Sequence, residues 1–453
     1  MSFPAAQPAR TEARRLFALA WPVVLTSLNW TILHVTDIIV VGLTGTQEAA
    51  ALGASRAVTF ISIVMAVGWL SGILVHAAQA DGAGDRAATG RTLRHGLVAA
   101  LGLAAIVTAL LALFAAPILT VIGVDPHILP AAARVVQVMA LAAPFQLVIL
   151  ACSFFFEGIS RPRIAMVINL AILPLNALLA WALSGGHLGL PMLGAVGAAA
   201  ATATASAVGA GAMLIAAWRM PDSAERGLAG SRWTIQWRDV AALLRFGFVP
   251  ALASALELAG FSILIALSTR LGDQVAHGFQ IVFSAHNVTF SFAIGLGSAA
   301  GVRVGNAVGE GTAAAAIPRT LIAVGLAAAV TALLALPMIL APGSVAALFP
   351  AEAETRTVAA AMLMLWAPFI LFDGIQVVLV YALRSLGDQV AAGINSILAY
   401  FVITGGLGWA FYAAGWGGTG LALASGLGMV AAAALNGARF WVVARRLAVR
   451  SGR

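Results

Sequence analysis

Asp37, Glu257 and Asp373 each lie inside a long apolar run, whereas the other Asp and Glu residues, out of 17 in all, fall mostly in short polar breaks or tails. An acid at the middle of a membrane span costs roughly 2.5–3.5 kcal/mol on insertion scales and by default marks an ion or proton pathway. A carboxyl taken out of water tends to keep a proton, whereas a metal ion or organic cation favours its ionised form. Such a group holds a proton or a cation but not both comfortably, and that competition is the physical basis of antiport. The plainer reading is that each acid is paired structurally or lies shallower in the membrane, but no Arg shares these three runs at a helical spacing, which weakens a salt-bridge explanation.

Other polar residues in the apolar runs are candidates to line a cavity beside these acids. Asn169 and Asn176 stand seven apart on one helical face, and Gln376 follows Asp373 by three on its face. Asn29 precedes Asp37 in the same run. Each of these can line a cavity or simply bond a neighbouring helix. His34 is three before Asp37, close enough to tune that acid or relay its proton, although a structural hydrogen bond is the plainer expectation. His286 and Asn287 are read as structural. Pro22, Pro144, Pro250 and Pro368 are expected to kink or break their helices. No catalytic residue is assigned.

The composition says what must hold these residues. Of 453 residues 61% are hydrophobic and 9% charged, against about 25% charged in soluble domains, so the chain cannot cover the surface of several soluble domains. Soluble enzymes and nucleic-acid-binding proteins are excluded, and the net charge of +8 is read as topology. A single cysteine, Cys152, excludes an internal disulfide or a cysteine metal cluster and is expected to face lipid or core. The basic N-terminal residues Arg10, Arg14 and Arg15 precede an apolar run longer than a signal-peptide core, which reads as a retained first span.

Runs of about 20 apolar residues, the length needed to cross a bilayer, recur twelve times, centred near residues 26, 65, 105, 146, 173, 204, 254, 289, 330, 377, 401 and 429. All 25 basic residues are Arg. All but Arg56, Arg134, Arg270 and Arg356 lie in the tails and the connections on one side, which predicts cytoplasmic termini. The halves echo each other. Trp21-Pro22 answers to Val249-Pro250, Gly53 to Gly278, Gly84-Asp85 to Gly309-Glu310, Ala143-Pro144-Phe145 to Ala367-Pro368-Phe369, and Ile168-Asn169 to Ile394-Asn395. These separations cluster around half the chain length. A tandem duplication of six spans follows, with the two copies in the same orientation about an axis along the membrane normal. The expected organisation is a cytoplasmic tail over 1–15, an N-terminal lobe over 16–218, a linker over 219–240, a C-terminal lobe over 241–444 and a tail over 445–453. Asp85-Arg86 followed by Gly90-Arg91 is near a loop signature of major facilitator transporters, but Asp81 and Ala88 stand where it needs Gly.

Several groups of residues follow one another in a definite order along the chain. They are Val35-Thr36-Asp37 with Gly42; Ala78-Gln79 with Gly82-Ala83-Gly84-Asp85; and Phe156-Glu157-Gly158-Ile159-Ser160-Arg161. Asn169 and Asn176 follow, then Pro191, Gly194, Gly197 and Ala201-Thr202. The second half adds Gly247 with Glu257, the stretch Arg303 to Glu310, Asp373 to Gln376, and Ala382 to Asp388. In this order and spacing the groups resemble the multidrug and toxic compound extrusion (MATE) family, most closely its NorM-like bacterial branch. The resemblance implies an all-α membrane protein with twelve spans in two pseudo-twofold-related lobes of six, set in a V around a central cleft. It also implies export of amphipathic, mostly cationic compounds, driven by H⁺ or Na⁺. On this basis Asp37 corresponds to the first-lobe coupling acid, and Glu257 and Asp373 to those of the second lobe. Na⁺ is a candidate ion at Glu257, Asp373 or Asp37. Phe369 stands where that branch often has Tyr, removing one oxygen ligand and tilting the expectation slightly towards H⁺.

The expected protein is a monomeric, multi-pass antiporter of a bacterial cytoplasmic membrane. It needs no cofactor beyond its coupling ion, H⁺ or Na⁺, and its partners are small organic cations and membrane lipid, with no nucleic acid. A flippase for lipid-linked precursors in the same superfamily is the alternative, but its cavity would carry several Arg for pyrophosphate, and no Arg lies mid-span here. An intramembrane hydrolase would need paired acids within reach of one another and a test for product.

Overall fold

The structure is a computed structural model that describes residues 9–230 and 233–451. Residues 1–8 of the expected N-terminal tail, 231–232 of the linker and 452–453 of the C-terminal tail lie outside the described residues. Among the described residues all regular structure is helical, and twelve helices are long and apolar enough to cross a membrane. They are α1 (Ala9–Gly42), α2 (Thr46–Gly82), α3 (Arg86–Ile122), α4 (Leu129–Gly158), α5 (Pro162–Gly185), α6 (Gly194–Trp218), α7 (Trp237–Arg270), α8 (Asp273–Gly309), α9 (Ala313–Leu340), α10 (Ala353–Ser385), α11 (Gln389–Ala413) and α12 (Gly417–Leu447). In lipid every backbone polar group must be satisfied within its own segment, which is why apolar runs of this length fold as helices.

The chain forms two compact units. One holds Leu25–Asp81 and Asp85–Ala251, and in it α4 packs on α3, α5 and α6. The other holds Met1–Val24, Gly82–Gly84 and Leu252–Arg453, and in it α10 packs on α8, α9 and α12. Two helices are divided by contact: α1 after Val24, two residues beyond Pro22, and α7 after Ala251, one residue beyond Pro250. The packing pattern repeats, with α3 on α4, α4 on α6 and α5 on α6 in one unit, and α9 on α10, α10 on α12 and α11 on α12 in the other.

The backbone carries the repeat more sharply than the side chains do. Left-handed residues fall in matching connections: Gly45 and Gly272, Gly84 and Gly311, and Ser160 and Gly387. Each pair is separated by the same interval, close to half the chain. Gly takes a positive φ without penalty and is the expected residue there; Ser160, at φ 60°, holds the same turn despite its Cβ.

Part of the linker is buried. Asp222, Ser223 and Arg226 are buried. Asp222 accepts from Arg161 Nη1 and Nη2 at 2.9 and 3.1 Å and from Arg226 Nε at 3.0 Å. Arg226 also bonds Thr89 and lies 3.6 Å from Asp81. Gly90 lets this segment close on α3, because a Cβ there would sit 1.7 Å from the Arg226 carbonyl oxygen. Cys152 is buried.

Candidate functional site: an acid cluster in each unit

Asp37 lies on α1 five residues before the helix ends, in a short antiparallel hairpin with α2. Its side chain is buried. Oδ1 accepts from Asn176 Nδ2 of α5 at 2.9 Å, and Oδ2 lies 3.4 Å from Arg56 Nη2 of α2. Thr202 of α6 acts on the same carboxyl. About two turns away, Asn29 donates to the Asn169 carbonyl at 3.0 Å, and Asn169 Nδ2 donates to the Ala165 carbonyl at 2.8 Å. Asn29 Oδ1 and Asn176 Oδ1 are sealed from solvent and receive no donor among the described residues. A buried acceptor left open in this way is costly unless a donor or cation arrives. Asp37, Asn29, Asn169 and Asn176 thus share one polar seam between α1 and α5.

Two expectations change here. Asp37 does have a guanidinium partner, Arg56, which sits on the neighbouring helix and was invisible to a search along α1 alone. The hairpin turn at residues 43–45 folds the start of α2 back along α1, and the long Arg side chain spans the remaining offset. His34 makes no hydrogen bond to Asp37; its half-buried ring meets Trp30 and Phe60 edge-on, with centroids 6.4 and 6.3 Å away.

In the other unit Asp373 of α10 is buried. Its Oδ1 accepts from Gln376 Nε2 at 3.3 Å and from the Tyr400 hydroxyl at 3.2 Å, while Oδ2 lies 3.7 Å from His286 Nε2 of α8. The His286 ring is surrounded by Phe261, Phe283, Phe290 and Trp366, with centroids between 5.4 and 6.3 Å, and it borders a small void that Ser425 also lines. Tyr400 sits in a π-helical stretch, Ile397–Thr404, inside α11; such bulges are frequent at functional sites. Gly260 of α7 makes room for it, since a Cβ there would come 2.1 Å from the Tyr400 carbonyl oxygen. Tyr400 and Arg56 are the residues that sequence reasoning missed, and His286 was assigned no part in a site. One of only three tyrosines, placed in the middle of an apolar run, was the available signal for Tyr400.

Glu257, one turn before Gly260, is half-buried and forms no hydrogen bond or ion pair within 4.0 Å among the described residues. The charges that act on it are Asp373 and Arg384. Arg384 has a sealed Nε with no hydrogen-bond partner among the described residues, and its guanidinium lies 5.6 Å over the Tyr381 ring. The sequence-predicted residues therefore form two groups, Asp37 with Asn29, Asn169 and Asn176, and Asp373 with Gln376. His34 bonds neither, and Glu257 stands apart from direct contact.

A membrane protein made of two six-helix repeats, with Asp37 buried in one unit and Asp373 in the other, is the class that these features define. The MatE sequence profile matches residues 22–182 and 250–409, one match in each half. The chain belongs to the MatE family. It is 31% identical to a probable multidrug resistance protein NorM of Bradyrhizobium diazoefficiens, over 95% of this chain and 93% of that protein. It is 32% identical to the corresponding protein of Deinococcus radiodurans, over 88% of each, and 28% identical to multidrug resistance protein PmpM of Pseudomonas aeruginosa, over 87% and 83%. Among solved structures, the eukaryotic MATE transporter AtDTX14 superposes with a TM-score of 0.86 at 21% identity, covering 98% of this chain and 99% of that one. An outward-facing MATE transporter of the MOP superfamily gives 0.86 at 18% identity with complete coverage of both. The fold is thereby shown to be that of these transporters.

Proposed function

We propose that the protein exports amphipathic, mostly cationic organic compounds by alternating access, in exchange for H⁺ or Na⁺. The observation that carries this reading is Asp37, a carboxylate buried in an apolar helix and held by Asn176 in a seam with two unfilled amide oxygens. A group of this kind is expensive to keep in a membrane and binds small and bulky cations in competition. Membership in the MatE family supports the transport reading, as do relatives named for multidrug resistance.

The second cluster has the chemistry to share the task. Asp373 carries donors on one oxygen and an imidazole beside the other. Although Phe369 offers no hydroxyl, Tyr400 brings one to the same acid from another helix, so the count of oxygens does not disfavour Na⁺. The nearby imidazole suits a proton equally. A bound ion can shift the conformational equilibrium only by its differential affinity for the two states, and a carboxylate whose partners change between states provides that difference. The bacterial relatives and the twelve apolar helices support placement in a bacterial cytoplasmic membrane, and the distribution of Arg supports cytoplasmic termini.

The test is ethidium efflux from proteoliposomes with a pH gradient or a Na⁺ gradient imposed separately. One gradient drives efflux in the wild type, and Asp37→Asn, reconstituted in equal amount, abolishes it. Undiminished efflux by that variant would remove Asp37 from the mechanism.

A further inference from the structure

The two units treat their acids differently. In one, Asp37 is engaged by a guanidinium of the same unit, Arg56. In the other, among the described residues, Glu257 has no ion partner within 4.0 Å, and Arg384 rests over Tyr381 with its Nε unpaired. Arg56 makes no other hydrogen bond or ion pair among the described residues. Its side chain is 20% exposed against 6% for Asp37, and the contact is long at 3.4 Å. A guanidinium never loses its charge in a protein, so it cannot leave the carboxylate by titrating; it leaves only by moving. Its contact with Asp37 is single and not the bidentate fork that Arg forms in a committed structural pair. The Glu12–Arg303 pair in this same chain shows that committed form, with two bonds of 2.7 and 2.9 Å.

We infer that Arg56 is a tethered counter-cation, which occupies Asp37 when no external cation is bound and must swing away before one binds. It sets how tightly the driving cation is held. The inference rests on the proposal that Asp37 couples transport to a cation, and adds to it a second, permanently charged residue that specifies the affinity of that site. An empty, uncompensated carboxylate would hold an entering cation tightly and release it slowly. A resident competitor weakens the hold and eases release, as a transport cycle requires. When the competitor occupies the site nine times in ten, the apparent affinity for the entering cation falls about tenfold. Among the described residues, the titratable group beside this pair is His34 on α1, on which Arg56 acts.

The experiment uses the full-length protein in proteoliposomes, with ethidium as cargo and the cation that drives wild-type efflux, Na⁺ or H⁺, titrated at fixed membrane potential. Arg56→Gln keeps a polar side chain, though a shorter one, and removes the charge; Arg56→Lys keeps the charge. Arg56→Gln should lower the half-saturating concentration of the driving cation about tenfold and reduce the maximum rate, whereas Arg56→Lys should stay within about threefold of wild type. An unchanged half-saturating concentration in Arg56→Gln overturns the inference, and so does an equal shift in both variants, which would assign the effect to packing. Asp37→Asn separates the two levels. If that variant still exports, the coupling proposal itself fails; if it is inactive while Arg56→Gln behaves as wild type, only the role of Arg56 fails.

Discussion

The hydroxyl of Tyr400, in the π-helical turn of α11, donates a 3.2 Å hydrogen bond to the carboxylate of Asp373 in α10. Gln376 donates to the same oxygen, and His286 faces the other. The carboxylate is therefore polarised from three helices, and removing the phenol oxygen changes its surroundings with little change in volume. Hydrogen bonds between membrane helices average about 0.6 kcal/mol and reach about 1.7.

Tyr400→Phe should therefore lower thermal stability only slightly, by a few degrees at most. Its larger effect falls on transport, where the half-saturating concentration of the driving cation shifts while the expressed amount does not. A thermal melt in detergent combined with ethidium efflux against the cation gradient checks both. A collapse of stability together with unchanged cation dependence would make the bond purely structural.

Glu12 and Arg303 form a buried bidentate pair, at 2.7 and 2.9 Å, that ties the beginning of α1 to α8. Breaking a buried pair by removing one partner leaves a bare charge and costs about 3–5 kcal/mol. Glu12→Ala should lower the unfolding midpoint markedly. The double variant Glu12→Leu/Arg303→Met, which leaves no orphan charge, should recover most of the loss. The measurement is a thermal unfolding curve for each variant.

How much of this was legible in the sequence depends on how local the signal is. Asp37, Asp373 and the pair Asn169 and Asn176 stand out because a polar residue in an apolar run violates a periodic pattern, and such violations need only their own helix to be seen. The twelve spans and the repeat were legible for the same reason. Arg56 and Tyr400 were not, because their meaning comes from a neighbouring helix. Arg56 becomes a partner of Asp37 through the hairpin turn, and Tyr400 becomes a partner of Asp373 through a π-helical turn that no composition announces. The buried linker hid for a related reason: Asp222 and Arg226 look like surface charges until Arg161 and Asp81 are brought to them.

The linker carries a pH dependence with a definite sign. Burial works against ionisation of Asp222, but bonds from Arg226 and the charges of Arg226 and Arg161 outweigh it and hold the carboxyl below its ordinary range. A group with a depressed folded pKa contributes stability that is full above its unfolded pKa, about 3.9, and is lost as pH falls through the folded value. Asp222→Asn should accordingly lower the unfolding temperature at pH 6–7, and the gap from wild type should close below about pH 4. Equal gaps at pH 7 and pH 3 would contradict this account.

The central claim is that one set of buried carboxylates exchanges a small cation for an organic one. Its most direct test is reverse coupling in sealed proteoliposomes with no imposed ion gradient: an outward ethidium gradient is applied, and inward movement of H⁺ and Na⁺ is followed with an internal pH dye and a Na⁺ indicator. The account predicts that the wild-type protein moves one of the two cations inward in proportion to ethidium leaving, and that Asp37→Asn moves neither. Ethidium leaving through the wild-type protein with no countermovement of either cation would contradict it.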